Sequence, residues 1–169
     1  MVTPAPLNQP VRDLRALAWH ILNAALEAVE PGAAVRRHLR LSDDQTELLV
    51  DLDHHTRAYP LRQFERVWVV GGGKASAPMA AAVAEVLGSR LSGGLVVVKY
   101  GHTLRHAEAS GPVRIVEAGH PIPDQAGVSA ARAIADVLTA AGERDLVLCL
   151  LSGGGSALMT LPVADVSLA

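Results

Sequence analysis

Val67-Trp68-Val69-Val70-Gly71-Gly72-Gly73-Lys74-Ala75-Ser76 and Leu146-Val147-Leu148-Cys149-Leu150-Leu151-Ser152-Gly153-Gly154-Gly155-Ser156-Ala157-Leu158 carry one signal twice. Each is an apolar run that enters a triple glycine and then a helix start. The runs are continuous rather than alternating, the mark of parallel strands covered on both faces. A strand, a glycine loop and a helix N-terminus together make a place for anions, because backbone N–H groups and the positive helix end point outward there. Glycine lets a phosphate approach the main chain with no Cβ in the way, and it accepts turns with φ > 0. Two such loops in one small domain, one carrying a lysine, predict a polyphosphate and a phosphoryl acceptor.

Between and around these loops the pattern alternates strand and helix. After strand Val67–Val70 comes a helix over Ala75–Leu87, stopped at Gly88, and a strand over Leu95–Lys99. A loop from Gly101 to Gly111 leads to strand Val113–Glu117 and to a stiff turn, Gly119-His120-Pro121-Ile122-Pro123-Asp124. Asp124 suits the N-cap of helix Gln125–Ala141, whose apolar face is Val128, Ala131, Ile134, Ala135 and Leu138. Strand Leu146–Leu151 closes the series. Strands alternating with helices predict an α/β fold, a doubly wound and mostly parallel sheet. Toward the N-terminus, apolar residues at helical spacing from Val11 to Val29 predict a helix, with Pro10 suited to its first turn, Asp13 complementing its positive end and Pro31-Gly32 stopping it. A weaker helical stretch covers Gly32–Leu39, and polar Ser42–His54 is ambiguous, compatible with a loop carrying a short helix.

The 169 residues suffice for one domain that buries roughly two-thirds of its unfolded surface. Half the residues are hydrophobic and 19% are charged, which excludes a disordered chain. A net charge of −2 argues against a general nucleic-acid binder. The basic cluster Arg36-Arg37-His38-Leu39-Arg40 reads as a solvated helix face. The single cysteine, Cys149, excludes an internal disulfide and reads as a small core residue in an apolar strand. Met1–Pro10 has no apolar run of the signal-peptide kind, and no run approaches the roughly 18 residues of a membrane span. The expected compartment is the cytoplasm. After Gly155 only a short tail remains, so the sheet reads as cut short, the first part of a longer enzyme.

The first loop is not a Walker A motif, because Trp68 stands where that pattern needs glycine. It is not a dinucleotide fingerprint, because no third glycine follows at the helix. Lys74 at the helix start is suited to neutralising a transferring phosphoryl group. The other reading is a lysine at a surface turn, with Gly71, Gly72 and Gly73 serving tight packing. Ser152, Gly153, Gly154, Gly155 and Ser156 offer several N–H donors and two hydroxyls to one anion, or else form a flexible turn. Neither serine sits in a Gly-x-Ser-x-Gly frame, which disfavours a serine hydrolase. The seven histidines form no metal signature; His54-His55 cannot both face one ion from a regular helix, and His102 and His106 fall in a loop of unassigned structure. His120, at the ligand edge of the sheet, reads either as a substrate contact or as a structural turn residue.

The three segments Val69–Ser76, Glu117–Asp124 and Leu151–Leu158, in that order, resemble the class II glycerate 2-kinase family, whose members carry a C-terminal MOFRL domain and are often labelled hydroxypyruvate reductases. The resemblance extends over nearly the whole chain, residues 1–169, as the N-terminal part of the Rossmann-like domain of that family. It implies ATP- and Mg²⁺-dependent phosphorylation of D-glycerate at its 2-hydroxyl to give 2-phosphoglycerate. It implicates Lys74 in catalysis and the Ser152–Ser156 loop in holding nucleotide phosphates. The MOFRL domain has no counterpart in this sequence. Two competing readings remain: an NAD(P)H-dependent hydroxypyruvate reductase, and a non-catalytic fragment that self-associates through a broken sheet edge.

Overall fold

The computed structural model describes residues 14–104, 106 and 110–168. Met1–Pro10, Asp13 and part of the Gly101–Gly111 loop, all read above, lie outside the described residues. The chain divides into two units, residues 1–30 and 31–169. In the first, α1 spans Leu14–Ala28, as the apolar spacing predicts. None of its residues is buried, and Trp19 is 58% exposed.

The second unit opens with α2 (Pro31–His38) and a three-stranded antiparallel sheet of β1 (Leu39–Leu41), β2 (Glu47–Leu52) and β3 (His55–Pro60). This sheet replaces the loop with a short helix expected at Ser42–His54. The polar residues that hid it build its first turn. The Ser42 hydroxyl accepts from the amides of Thr46 and Glu47, at 3.2 and 3.0 Å, and Asp44 Oδ1 accepts from the Thr46 amide at 3.1 Å. Such local side-chain bonds compete with helix formation. Asp53-His54 then connects Leu52 to its partner His55 across β2 and β3. Leu48, fully buried, is the sheet's anchor in the core. The basic cluster is not one helix face. Arg36 lies in the last turn of α2 and pairs with Glu85 at 3.0 Å, whereas Arg40 lies in β1 and pairs with Asp51 at 2.9 Å.

The larger sheet contains β4 (Arg66–Gly72), β5 (Gly93–Lys99), β6 (Val113–Ala118) and β7 (Asp145–Leu151). All pairings are parallel and the spatial order is β6-β5-β4-β7. α3 (Ser76–Leu87) follows β4, and α4 (Gln125–Ala140) joins β6 to β7. A four-residue α5 (Gly155–Leu158) follows β7. Alternate strand residues feed two cores. Val67, Val69 and Val96 pack with Leu48, Val83 and Leu87 on the α3 face. Val70, Leu95 and Val97 pack with Ala130, Ile134 and Leu158 on the α4 face. The α/β doubly wound parallel sheet is therefore as expected.

The strand order has a consequence for function. The chain starts at β4, moves through β5 to β6, then returns to the other side of β4 for β7. Carboxyl-end loops diverge at such a reversal, and ligands of open α/β sheets bind in that crevice. Both triple glycines flank it. The β4–β7 pair is clamped at its opposite end by Arg66, whose guanidinium meets Asp145 through two bonds of 2.9 and 2.7 Å. Paired bonds of this kind fix geometry as well as adding energy.

β7 pairs with β4 alone and forms one edge of the sheet. This overturns the core reading of Cys149, whose side chain is exposed. Among the described residues no strand pairs with the outer edge of β7, and of its apolar residues only Leu150 is buried while the rest are half-buried or exposed, despite their continuous pattern.

Candidate functional site

The two glycine loops are built against each other. The amide of Lys74 donates to the Gly153 carbonyl at 3.0 Å, the Ser152 amide to the Gly72 carbonyl at 3.2 Å, and the Ala75 amide to the Ser152 hydroxyl at 3.0 Å. The Gly73 amide donates to the Val97 carbonyl at 2.9 Å. Ala75, the N-cap of α3, has no side chain that caps the helix. The Ser152 hydroxyl serves instead, from the far loop.

These bonds leave no room for side chains in the first loop. A Cβ on Gly73 (φ +141°) would stand 2.1 Å from the Ser152 Oγ, and one on Gly71 (φ +151°) 2.0 Å from the Leu150 carbonyl oxygen. Gly71–Gly73 thus serve close packing, the second of the two readings drawn from sequence, and the amides of Gly73, Lys74 and Ala75 are already engaged by protein. The second loop differs. Around Gly153 nothing lies within 4 Å of where a Cβ would be. Among the described residues the amides of Gly153, Gly154 and Ser156 have no hydrogen-bond acceptor.

Two side chains reach this open loop from elsewhere in the sheet. The His120 Nε2 lies 2.7 Å, and the Lys74 Cε 3.6 Å, from the position of a Cβ on Gly154. Lys74 is exposed, and His120 half-buried. Burial holds the His120 imidazole below the usual histidine range, and the charges of Lys74 and Lys99 push it the same way. A neutral imidazole offers one acceptor and one donor nitrogen.

The turn that presents His120 is held from below. Asp124 Oδ1 accepts from the Gly127 amide at 3.0 Å, the predicted N-cap, and its Oδ2 accepts from the Tyr100 hydroxyl at 2.8 Å. The Gly127 amide bond, foremost, and the Tyr100 bond keep the Asp124 carboxyl below the usual carboxylate range. Tyr100 follows β5, so this bond ties the end of β5 to the start of α4. The His120-Pro121 peptide is cis.

Sequence reading singled out Lys74, His120 and the Ser152–Ser156 loop, and the fold gathers all of them at one crevice. It missed Lys99 and Tyr100. The available signal was a lysine ending a strand of buried valines, followed at once by an aromatic hydroxyl. Among the described residues no group of three or more His, Cys, Asp or Glu is arranged to hold a metal ion, and no helix is long and apolar enough to cross a membrane.

A family model described as "Domain of unknown function (DUF4147)" matches residues 17–169. The D-glycerate 2-kinase of Thermotoga maritima is 38% identical over 159 residues, covering 92% of this chain and 32% of that protein. A protein of Agrobacterium vitis bearing a hydroxypyruvate reductase name is 47% identical over 104 residues, covering 62% of this chain and 26% of that one. A crystal structure of a Pyrococcus horikoshii protein superposes with a TM-score of 0.75 at 31% identity, covering 95% of this chain and 34% of that chain. The chain thus spans about a third of the length of the first curated relatives it matches.

Proposed function

The chain belongs to the DUF4147 family, and from that membership we propose that the protein is an ATP-dependent kinase that phosphorylates D-glycerate on its 2-hydroxyl. The glycerate kinase names of relatives aligned over most of the chain support the reaction class. The observation that carries the assignment is the convergence of Lys74 and His120 on Gly154, beside a loop whose amides are open.

Phosphoryl transfer asks a protein mainly for positioning and charge neutralisation. The amides of Gly153, Gly154 and Ser156 cradle nucleotide phosphates. Lys74 places a compact positive charge beside them, where negative charge moves during transfer. Gly71, Gly72 and Gly73 act indirectly, by letting the two loops touch. His120 contacts the acceptor. Mg²⁺ would arrive with the ATP phosphates, as that ion commonly does. Mg²⁺ supplies further charge neutralisation there. The compartment is the cytoplasm and the partner a small molecule.

A hydroxypyruvate reductase is the second reading, favoured by the name of the Agrobacterium relative. A dinucleotide fold carries the pyrophosphate on the first strand–helix turn. Here the amides of that turn are engaged by the second loop, which weighs against it.

The test is an assay of the full-length protein with D-glycerate, ATP and Mg²⁺, coupled through enolase to report 2-phosphoglycerate directly. A signal that needs added phosphoglycerate mutase assigns the 3-hydroxyl instead. Oxidation of NADH in the presence of hydroxypyruvate, with no phosphoryl transfer, returns the reductase.

A further inference from the structure

We propose that Lys99, the last residue of β5, is the carboxylate-recognising residue of the acceptor subsite, seating a small 2-hydroxy acid over the carboxyl ends of β5 and β6. This rests on the kinase reading above and adds to it the place and the ligand group of the acceptor.

The strand order carries the inference. Along the carboxyl edge of the sheet the loops stand in the order His120 (after β6), Lys99 (β5), Lys74 (after β4) and Ser152–Ser156 (after β7). The open amides lie at the β7 end, so the phosphate donor occupies that side. Lys74 is next, where the transferring group passes. The acceptor is left with β5 and β6, one strand spacing of about 4.8 Å further on, a span that a three-carbon acid covers.

Lys99 is on the correct face. It pairs with Ala118, two residues before His120. Val97 and Ala118 both belong to the core under α4, and the two-residue period of a strand puts Lys99 on the same side as Val97. Leu158 of α5 belongs to that core as well. Lys99, His120 and the open loop therefore share one side of the sheet.

Lys99 also has no anion of its own. The nearby carboxylates are held by other groups: Glu117 Oε1 accepts from the Gly101 amide at 2.6 Å, and Asp124 takes the Tyr100 hydroxyl and the Gly127 amide. No ion pair found among the described residues involves Lys99 or Lys74. Lys99 is half-buried at the end of an apolar strand, with its ammonium left to meet an anion from outside the chain. Its charge also acts, after burial and the charge of Lys74, to hold the His120 imidazole below the usual histidine range, in keeping with the two side chains facing one space. A lysine is a compact point charge, suited to a small carboxylate.

The experiment is isothermal titration of the full-length protein with D-glycerate, with glycerol as the uncharged comparator and a non-hydrolysable ATP analogue with Mg²⁺ as the control. Lys99→Gln is expected to weaken D-glycerate by about 10- to 100-fold, the loss of one charged hydrogen bond. The ATP analogue is expected to stay within about twofold. Glycerol is expected to bind no better to wild type than to the variant. Lys99→Arg keeps the charge and guards against a folding defect; it is expected to retain more D-glycerate affinity than Lys99→Gln. Unchanged D-glycerate affinity in Lys99→Gln overturns the proposal. So does equal loss in Lys99→Gln and Lys99→Arg, equal loss of the ATP analogue, or absence of D-glycerate binding to wild type. The two readings separate cleanly. Lys99-dependent D-glycerate binding without phosphoryl transfer removes the kinase and keeps the subsite. Transfer to D-glycerate with a Lys99-independent affinity removes the subsite and keeps the kinase.

Discussion

Gly71–Gly73 and Gly153–Gly155 are the same three letters at the ends of two neighbouring parallel strands, and the fold uses them in opposite ways. The first triplet lies under the second loop, and the amides running from Gly73 to Ala75 are bonded to protein. The second triplet begins in open space at Gly153; among the described residues the Gly153 and Gly154 amides have no acceptor, and Lys74 and His120 reach Gly154, whereas Gly155 donates to the Ser152 carbonyl and packs on the Gly72 carbonyl. A glycine run reports that a backbone must come close to something. Whether that something is a phosphate or another backbone depends on what the next strand delivers.

The largest expected effect tests the packed loop. Gly73→Ala and Gly71→Ala each place a Cβ about 2 Å from a fixed atom at a positive φ, and each is expected to cost about 3–5 kcal/mol or prevent folding. Gly153→Ala meets nothing within 4 Å and is expected to change stability by less than about 0.5 kcal/mol. Urea unfolding of the three variants measures this, and similar losses in all three would erase the distinction between the loops.

The next effect concerns Lys74, which belongs to the packed loop by sequence and to the open loop by reach. In the full-length protein Lys74→Ala is expected to lower kcat by about 10²–10³-fold, as for the loss of one preorganised electrostatic contact. The KM for ATP should change much less, because the open amides still hold the phosphates, and Lys74→Arg should rescue poorly. Steady-state kinetics with circular dichroism checks both. A folded Lys74→Ala enzyme with normal kcat would return Lys74 to a surface turn.

Ser152 and Ser156 divide along the same line. Ser152→Ala removes the acceptor for the Ala75 amide and is expected to cost about 1–2 kcal/mol in thermal unfolding. Ser156→Ala is expected to leave stability within about 0.5 kcal/mol of wild type and, because it keeps the amide and removes only the hydroxyl, to weaken binding of the ATP analogue by no more than one hydrogen bond's worth, roughly 10-fold.

The smallest effect is a titration. His120 is expected to titrate below the usual histidine value of about 6.5, and Lys74→Ala should move it upward, because one of the charges opposing protonation is gone. As pH falls through the usual histidine range, the unfolded chain takes up a proton that folded His120 does not. The stability associated with this group is therefore present above about pH 6.5 and is lost as pH falls through the lower folded-state value. NMR of the His120 ring against pH follows it directly, and an unshifted His120 would detach the imidazole from the lysines.

Much of this was legible in the residues themselves. Apolar periodicity and glycine or proline stops marked α1, α3 and α4 to within a few residues, and Asp124 caps α4 as its position before Gln125 predicts. Continuous valine and leucine runs identified four parallel strands. These are local properties, set by side-chain period, by the need for a cap and by turn chemistry. The small antiparallel sheet was not legible, because Ser42, Asp44 and Thr46 bond locally and read the same in a loop as in a hairpin turn. Nor was the exposure of Cys149, since a strand's sequence carries no record of how many neighbours it will have. Tertiary structure alone decided which glycine loop is sealed and which is open. It also decided that Lys99 and His120, contributed by different strands, stand on the same side as Gly154. Strand order, not sequence spacing, sets those distances, because parallel strands joined through helices bring residues far apart in the chain to one edge of the sheet.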